Sequence, residues 1–296
     1  MGPTPPSPDL VLANGTVEVG IPVSYGPRIM HYGFAGERNW LGRAPQVERA
    51  TPHGLWRAYG GHRLWAAPEL FPDTYTIDDA PITIERSDAR CAVVVQPADA
   101  GRRVEKRLTV ELAPSGSAVT VRHEVVNRAA HAIDTAAWAL TVVQSGGVAI
   151  VPNAEYRPQP EALLPARTIA VWPYTRLGDP RFSFGPRFLR LRCDPAQAEP
   201  QKIGIRNERG WCAYLTDGGA FVKRASYDAA AAYPDWNCTT EIFTAGAFLE
   251  LETLGPLRTI APGERAEHIE RWSLHPEIRA GDDDTLALAL RSAVAA

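Results

Sequence analysis

The chain has 296 residues, of which 45% are hydrophobic and 22% charged, and its 31 Lys plus Arg against 34 Asp plus Glu give a formal net charge of −3. That composition fits a water-soluble globular protein of one large or two ordinary domains. The near balance of charge argues against a dedicated nucleic-acid binder, and no apolar run approaches membrane-spanning length.

The opening MGPTPPSPDL is Pro-rich and uncharged before Asp9. It lacks the basic and apolar blocks of a signal peptide, so residues 1–9 are expected to form a disordered tail on a cytoplasmic protein. From residue 10 onward the signal is short β-type segments broken by turn residues. LVLANGTVEVGIPV places Asn14-Gly15 between two apolar runs, a strong hairpin cue. PITIERS, CAVVVQP, RRVEKRLTVEL and SAVTVRHEVVN follow, separated by Asp, Ala-Gly and Pro-Ser-Gly turns. Val104, Leu108, Val110 and Leu112 share one parity, which suits a half-buried strand. Residues 132–144 are long and mostly apolar and are expected to form a central strand.

Residues 151–188 differ. They are rich in Pro and aromatic residues, which forbids a long helix or a regular ladder. They read as an excursion with one short strand, TIAVW, that could wall a cleft. Strands resume at FLRLRC, KIGIRN, GWCAYLT, AFVKRASY, TTEIFT, AFLELETL, PLRTI and HIERWSL, and only DDDTLALALRSAVAA at the C-terminal end has a helical pattern, with an acidic start. Roughly fifteen to twenty strands at this turn spacing predict an all-β sandwich or barrel. No repeat period and no composition shift divide the chain, so residues 10–296 are read as one large sandwich domain.

Cys91, Cys193, Cys212 and Cys238 are widely spaced and form no CxxC pair, so they read as separate buried thiols. No HExxH, GxSxG, Walker A or helix-opening GxGxxG is present, and neither a metal nor another cofactor is expected.

The segments GGHRLWAAPE (60–69), AFVKRASYDAAAAYPDWNCTTEIFTAGAFLELETLGPLRTIAPGE (220–264) and ERWSL (270–274) resemble the galactose-mutarotase-like, or aldose 1-epimerase-like, superfamily, and within it a bacterial branch. NGTVEVGIPVSYGPRIMHYGF resembles its opening strands. The similarity covers most of residues 10–275. It implies a β-supersandwich of two large antiparallel sheets with few short helices and a carbohydrate site on a concave face. The family's sugar-contacting Arg lies in a Gly-Arg-x-Ala-Asn-Arg-Ile segment; the matching position implies that role for Arg63, with His62 in place of the Asn. The family's general base is a Glu in a Leu-Glu-Thr context, matched by Leu251-Glu252-Thr253. The family's catalytic His has no counterpart: the corresponding place reads TAAWALT, with Trp138.

The residues themselves add to this. In FLELETLGPL, alternation puts Leu249 and Leu251 on one face of a strand and Glu250 and Glu252 on the other, where the carboxylates repel unless water or cations relieve them. Mutarotation needs a base for the anomeric hydroxyl and an acid for the ring oxygen. Glu252 is the expected base, His62 the expected acid, and Glu250 and Glu241 neighbouring carboxylates at the ligand. Trp65 and Trp138 offer stacking faces. Arg63 and Lys223, with Arg28 weaker, could hold a sugar carboxylate or phosphate. His123 sits on an apolar parity and reads as a core histidine. His31 is a lesser candidate, while His53, His131, His268 and His275 read as turn or surface residues. Asp235, in YPDWN, is placed at a cleft mouth. The expected partner is a small carbohydrate, bound by a monomer or homodimer. The alternatives are a non-catalytic carbohydrate-binding protein, or a lyase or hydrolase on the same fold.

Overall fold

Residues 10–98 and 103–295 are described by a computed structural model of the chain; the proline-rich tail expected over residues 1–9 lies outside them. The Asn14-Gly15 hairpin forms as its residues dictate. Leu10–Ala13 pairs antiparallel with Val17–Ile21, Gly15 takes the left-handed φ of +83°, and Asn14 Oδ1 accepts the amides of Thr16 and Val17. His31–Phe34 adds the third strand of this small sheet.

Two large antiparallel sheets hold most of the chain. The ten-stranded sheet runs in the order Phe182–Phe184, Phe188–Arg192, Val148–Pro152, Trp211–Thr216, Gly219–Ala225, Arg265–His275, Val119–Asn127, Val104–Leu112, Cys91–Gln96, Thr83–Ser87. The eight-stranded sheet runs Ile169–Val171, Gln201–Ile205, Thr240–Ala245, Phe248–Leu254, Ile133–Val143, His62–Ala67, Arg28–Ile29, with Arg258–Ile260 also paired to Ile133–Val143. The apolar segment expected to be central is central: Ile133–Val143 is flanked by Phe248–Leu254 and His62–Ala67.

Alternation decides what each sheet buries. Leu64, Ala137, Ile203, Ile242, Leu249 and Leu251 of the eight-stranded sheet meet Leu108, Val110, Val121, Phe221 and Trp272 of the ten-stranded sheet in the main core. The opposite, outer face of the eight-stranded sheet is also covered, by a second cluster that includes Trp56, Trp65, Tyr75, Trp138 and Leu140. His62–Ala67 and Phe248–Leu254 are therefore buried at every position. The acidic C-terminal segment forms the helix Asp283–Ala295, capped by Asp282, whose Oδ1 accepts the amide of Thr285 at 2.9 Å. Its Leu286, Leu290 and Ala293 pack over Phe188, Trp211 and Val222, so the helix covers the outer side of the ten-stranded sheet. No helix among the described residues is long and apolar enough to cross a membrane.

Candidate active site on the outer face of the eight-stranded sheet

Cross-strand register lays out a row on the outer face. Gly204 lies opposite Glu241, Glu241 opposite Glu252, Glu252 opposite Leu140, Leu140 opposite Arg63, and Arg63 opposite Arg28. Directly opposed carboxylates repel, and the cations that relieve them come from neighbouring strands. Lys202 Nζ lies 2.7 Å from Glu241 and 3.2 Å from Glu252 Oε2. Arg63 Nη1 donates to Glu250 at 2.7 Å. Trp138 Nε1 donates to Glu252 Oε2 at 2.9 Å. Lys202 also sits 4.7 Å from the ring centres of both Trp138 and Trp172.

All of these charged groups are buried, with Glu241 and Glu252 at 0% exposure. Burial pushes the Glu241 carboxyl well above the usual carboxylate range, against the pull of Lys202, and Glu252 adds to the rise. Burial likewise raises Glu252, with Lys202 opposing and Glu250 reinforcing. Burial works against the Lys202 ammonium, but Glu241 and Glu252 lift it well above its ordinary value. Two carboxyls and one ammonium are neutral when the pair holds a single proton, and that is the charge state this environment favours. Glu241 Oε1 and Glu252 Oε1 are buried and have no hydrogen-bond partner among the described residues.

Beside this row is a cavity of about 320 Å³, lined by Trp138, Trp172, Glu69, Tyr75, Asp235 and Arg49 among others. Trp138 is thus shared: it is 1% exposed and lines the cavity, and its N–H holds Glu252. Trp172 follows the short strand Ile169–Val171, so the Pro-rich excursion supplies a wall of the cavity. It packs against Gly204, where a Cβ would lie 2.6 Å from Cys238 Sγ and 3.2 Å from the Trp172 ring. A second cavity, of about 310 Å³, lies across Trp172 and Asp235 and is also lined by Ala170, Val171, Pro173 and Trp236. Asp235, Trp236 and Asn237 form a left-handed turn with φ of 49°, 61° and 70°, a conformation costing about 1–2 kcal/mol per residue for L-amino acids. A recess of about 540 Å³ elsewhere is lined only by the Arg258–Arg265 hairpin and gathers no groups from other elements.

The structure brings together Glu252, Glu241, Glu250, Arg63, Trp65 and Trp138 on this face. Arg63 is only 3% exposed, is paired with Glu250, and lies 4.7 Å from the centre of Trp65 and 5.8 Å from that of Trp56. Trp65 packs among Trp56, Tyr75 and Trp138 rather than on a cavity. Arg28 is likewise held, by Asp78 at 2.7 Å and by the carbonyl of Ala58. His31 stands apart, in the three-stranded sheet. Sequence reading missed Lys202, and it placed Trp172 only within TIAVW, the segment that could wall a cleft. Lys202 carried a usable signal, since in KIGIRN it has the parity opposite to the core residues Ile203 and Ile205.

His62 and Lys223 are corrections. His62 precedes Arg63 in the strand, so its side chain enters the opposite face, the core between the sheets, where it is 0% exposed. It cannot share a cleft with Glu252. Lys223 is in the same interior, 2.7 Å from Glu270 and within hydrogen-bond distance of Thr141 Oγ1 and the Leu251 carbonyl. It is therefore not available to a sugar carboxylate. His268, expected at a turn or the surface, is buried there too.

These residues form a continuous network whose donors can be assigned. Lys223 donates to Thr141, leaving the Thr141 hydroxyl to donate to His62 Nδ1 at 2.9 Å. His62 Nε2–H then donates to His123 Nε2 at 2.7 Å, and His123 Nδ1–H donates to the His268 carbonyl at 3.0 Å. His268 Nε2–H donates to Thr253, which donates to Glu270, and Trp272 Nε1–H takes the other Glu270 oxygen at 2.8 Å. His62, His123 and Glu270 bring one ligand atom each within 4.8 Å of one another, a spacing a cation could bridge; here Lys223 supplies the positive charge.

Burial holds all three histidines neutral: His62 is well below its ordinary value, His123 is lowered, and His268 falls to about 3. Burial works against the Glu270 carboxylate, but the Lys223 ammonium outweighs it and holds Glu270 below the carboxylate range. These shifts set the acid limb of stability. The unfolded histidines take up protons below about pH 6.5 while the folded ones do not, so stability falls as pH drops through that window. Glu270 adds to the loss below about pH 4.5. Glu241 and Glu252, raised in the fold, act in the opposite sense above pH 4.5 and have no further effect below it. Each histidine that stays neutral in the fold contributes about 1.4 kcal/mol per pH unit to that fall, and the loss is expected to steepen below about pH 4.5, where Glu270 joins and the opposing effect of Glu241 and Glu252 ends. Urea midpoints measured from pH 7 to pH 3 check this; a flat profile contradicts it, and His268→Gln should remove about one proton from the slope.

No family model and no curated protein matches the chain. Solved structures do. A galactose mutarotase-like protein from Lactobacillus casei aligns over 90% of this chain and 99% of its own, at 11% identity and a TM-score of 0.54. A galactose mutarotase related enzyme from Lactobacillus acidophilus aligns over 90% and 97%, at 10% identity and a TM-score of 0.52. A TPR-domain containing protein from Parabacteroides distasonis aligns over 92% of this chain but 49% of its own, at 13% identity and a TM-score of 0.58. At these identities the likeness shows the fold: the chain is a galactose-mutarotase-like β-supersandwich.

Proposed function

We propose that this protein binds a neutral aldose over Trp138, on the outer face of the eight-stranded sheet, and interconverts its anomers by proton transfer. The observation that carries the reading is the buried Glu241–Lys202–Glu252 row beside a cavity, with Trp138 lining the cavity and bonded to Glu252. The fold shared with proteins named for galactose mutarotase supports the same reading.

Glu252 is the base. Trp138 and Lys202 hold its Oε2, which leaves Oε1 to accept the proton of the anomeric hydroxyl. Glu241, kept protonated by its burial, donates to the ring oxygen. The C1–O5 bond breaks as O1 becomes the carbonyl oxygen. The aldehyde rotates about C1–C2, and the reverse transfers close the ring on its other face. A raised base and a neutral acid are matched to operation near pH 7, and each is worth roughly 10²–10⁴-fold.

The substrate is taken as neutral because the cations of the sheet are paired and the one cation lining the cavity, Arg49, is outnumbered there by two carboxylates. Arg63 is occupied by Glu250 and Lys202 by two carboxylates, while Glu69 and Asp235 add negative charge at the cavity.

A second reading, sugar binding without turnover, is favoured by one observation: Trp138 stands where the resemblance places a catalytic histidine. Saturation-transfer NMR separates the two. Exchange between the α and β anomeric signals of glucose, galactose or mannose faster than in buffer, with glucuronate unaffected, supports isomerisation. Binding without faster exchange supports the second reading, and no binding of any of these sugars overturns both.

A further inference from the structure

We infer that the site takes a disaccharide, or the reducing end of a longer glycoside, with a second sugar unit in the cavity beneath Trp236. This rests on the carbohydrate reading above and extends it. The two cavities, of about 320 and 310 Å³, share Trp172 and Asp235 and are each large enough for a sugar ring. A reducing-end unit over Trp138 directs C1 to Glu252, so the chain of the glycoside leaves away from the sheet. The way out passes Asp235, whose carboxylate can accept hydroxyls of either unit.

The outer cavity has the chemistry of a sugar platform. Trp172, Pro173 and Trp236 present apolar surfaces to the C–H face of a ring, and no Lys or Arg lines it, so its occupant is uncharged. Trp236 is 77% exposed and contributes nothing to the core. It is nonetheless held in place. Pro234 and Tyr233 are buried, the Tyr233 amide donates to Asn237 Oδ1 at 2.9 Å, and the Cys238 amide closes the turn on the Pro234 carbonyl. A left-handed turn of three non-glycine residues that keeps a large indole in water at a cavity edge marks a site under functional constraint.

The test is isothermal titration of the full chain with glucose and galactose and with maltose, cellobiose and lactose. At least one disaccharide is expected to bind ten-fold or more tightly than its reducing-end monosaccharide. In Trp236→Ala that ratio should fall to near one, and in Trp236→Phe most of it should remain. A ratio near one in the parent protein, or one untouched by Trp236→Ala, overturns the inference while a bound monosaccharide leaves the carbohydrate reading standing. If none of the five sugars binds, both fall.

Discussion

Glu252→Gln should slow anomer exchange by about 10²–10⁴-fold while leaving the protein folded. The substitution keeps the volume and one carbonyl oxygen, so Trp138 Nε1 and Lys202 Nζ retain an acceptor at the position of Oε2. What is lost is the proton acceptor at Oε1. The change also removes one of the two carboxyls that share Lys202, so Glu241 becomes the sole counter-ion and its raised pKa should fall. Glu241 then ionises against Lys202 and is lost as a proton donor together with the base, which places the effect toward the upper end of the range. Saturation-transfer rates for parent and variant, with binding followed in parallel by titration, separate a loss of turnover from a loss of affinity. A variant that exchanges anomers as fast as the parent removes Glu252 from the mechanism.

Lys223→Met should destabilise the fold by about 3–5 kcal/mol, because it leaves Glu270 buried and unpaired in the centre of the main core. Lys223 and Glu270 are both 0% exposed and 2.7 Å apart. The ammonium also satisfies Thr141 and the Leu251 carbonyl, so its loss exposes further acceptors without donors. Pairing Lys223→Met with Glu270→Gln should return a large part of the lost stability, since an amide costs less to bury than a charge. Urea unfolding of the two single variants and the double variant measures this. A Lys223→Met protein within about 1 kcal/mol of the parent contradicts the charge assignment of the network.

How much of the site could be read in the sequence varied residue by residue. Alternation in FLELETL correctly separates Leu249 and Leu251 from Glu250 and Glu252, because a strand sends neighbours to opposite faces whatever surrounds it. The same rule separates His62 from Arg63 and Lys202 from Ile203. The assignment of His62 to the sugar failed because GGHRLWAA is buried on both faces. In such a strand parity says that two residues part company but not which of them meets the core. Lys223 failed for the same reason: in AFVKRASY a lysine between apolar neighbours has the look of a ligand-binding cation, and its counter-ion Glu270 is 47 residues away in sequence. Trp172 could be suspected only as part of an aromatic excursion, since its partner Gly204 lies on a different strand.

Taken alone, the sequence determined the strand-and-turn rhythm, the Asn14-Gly15 hairpin, the centrality of residues 132–144, the C-terminal helix with its acidic start and the parity that parts Glu250 and Glu252 from Leu249 and Leu251. These follow from local backbone geometry and from the solubility of side chains, which act over a few residues. Only the tertiary structure decided that Glu241 stands opposite Glu252, that Lys202 rather than Lys223 joins them, and that three histidines and Glu270 close a network between the sheets. Those outcomes depend on strand order and register, which arise when segments tens to hundreds of residues apart pair to bury both of their faces at once.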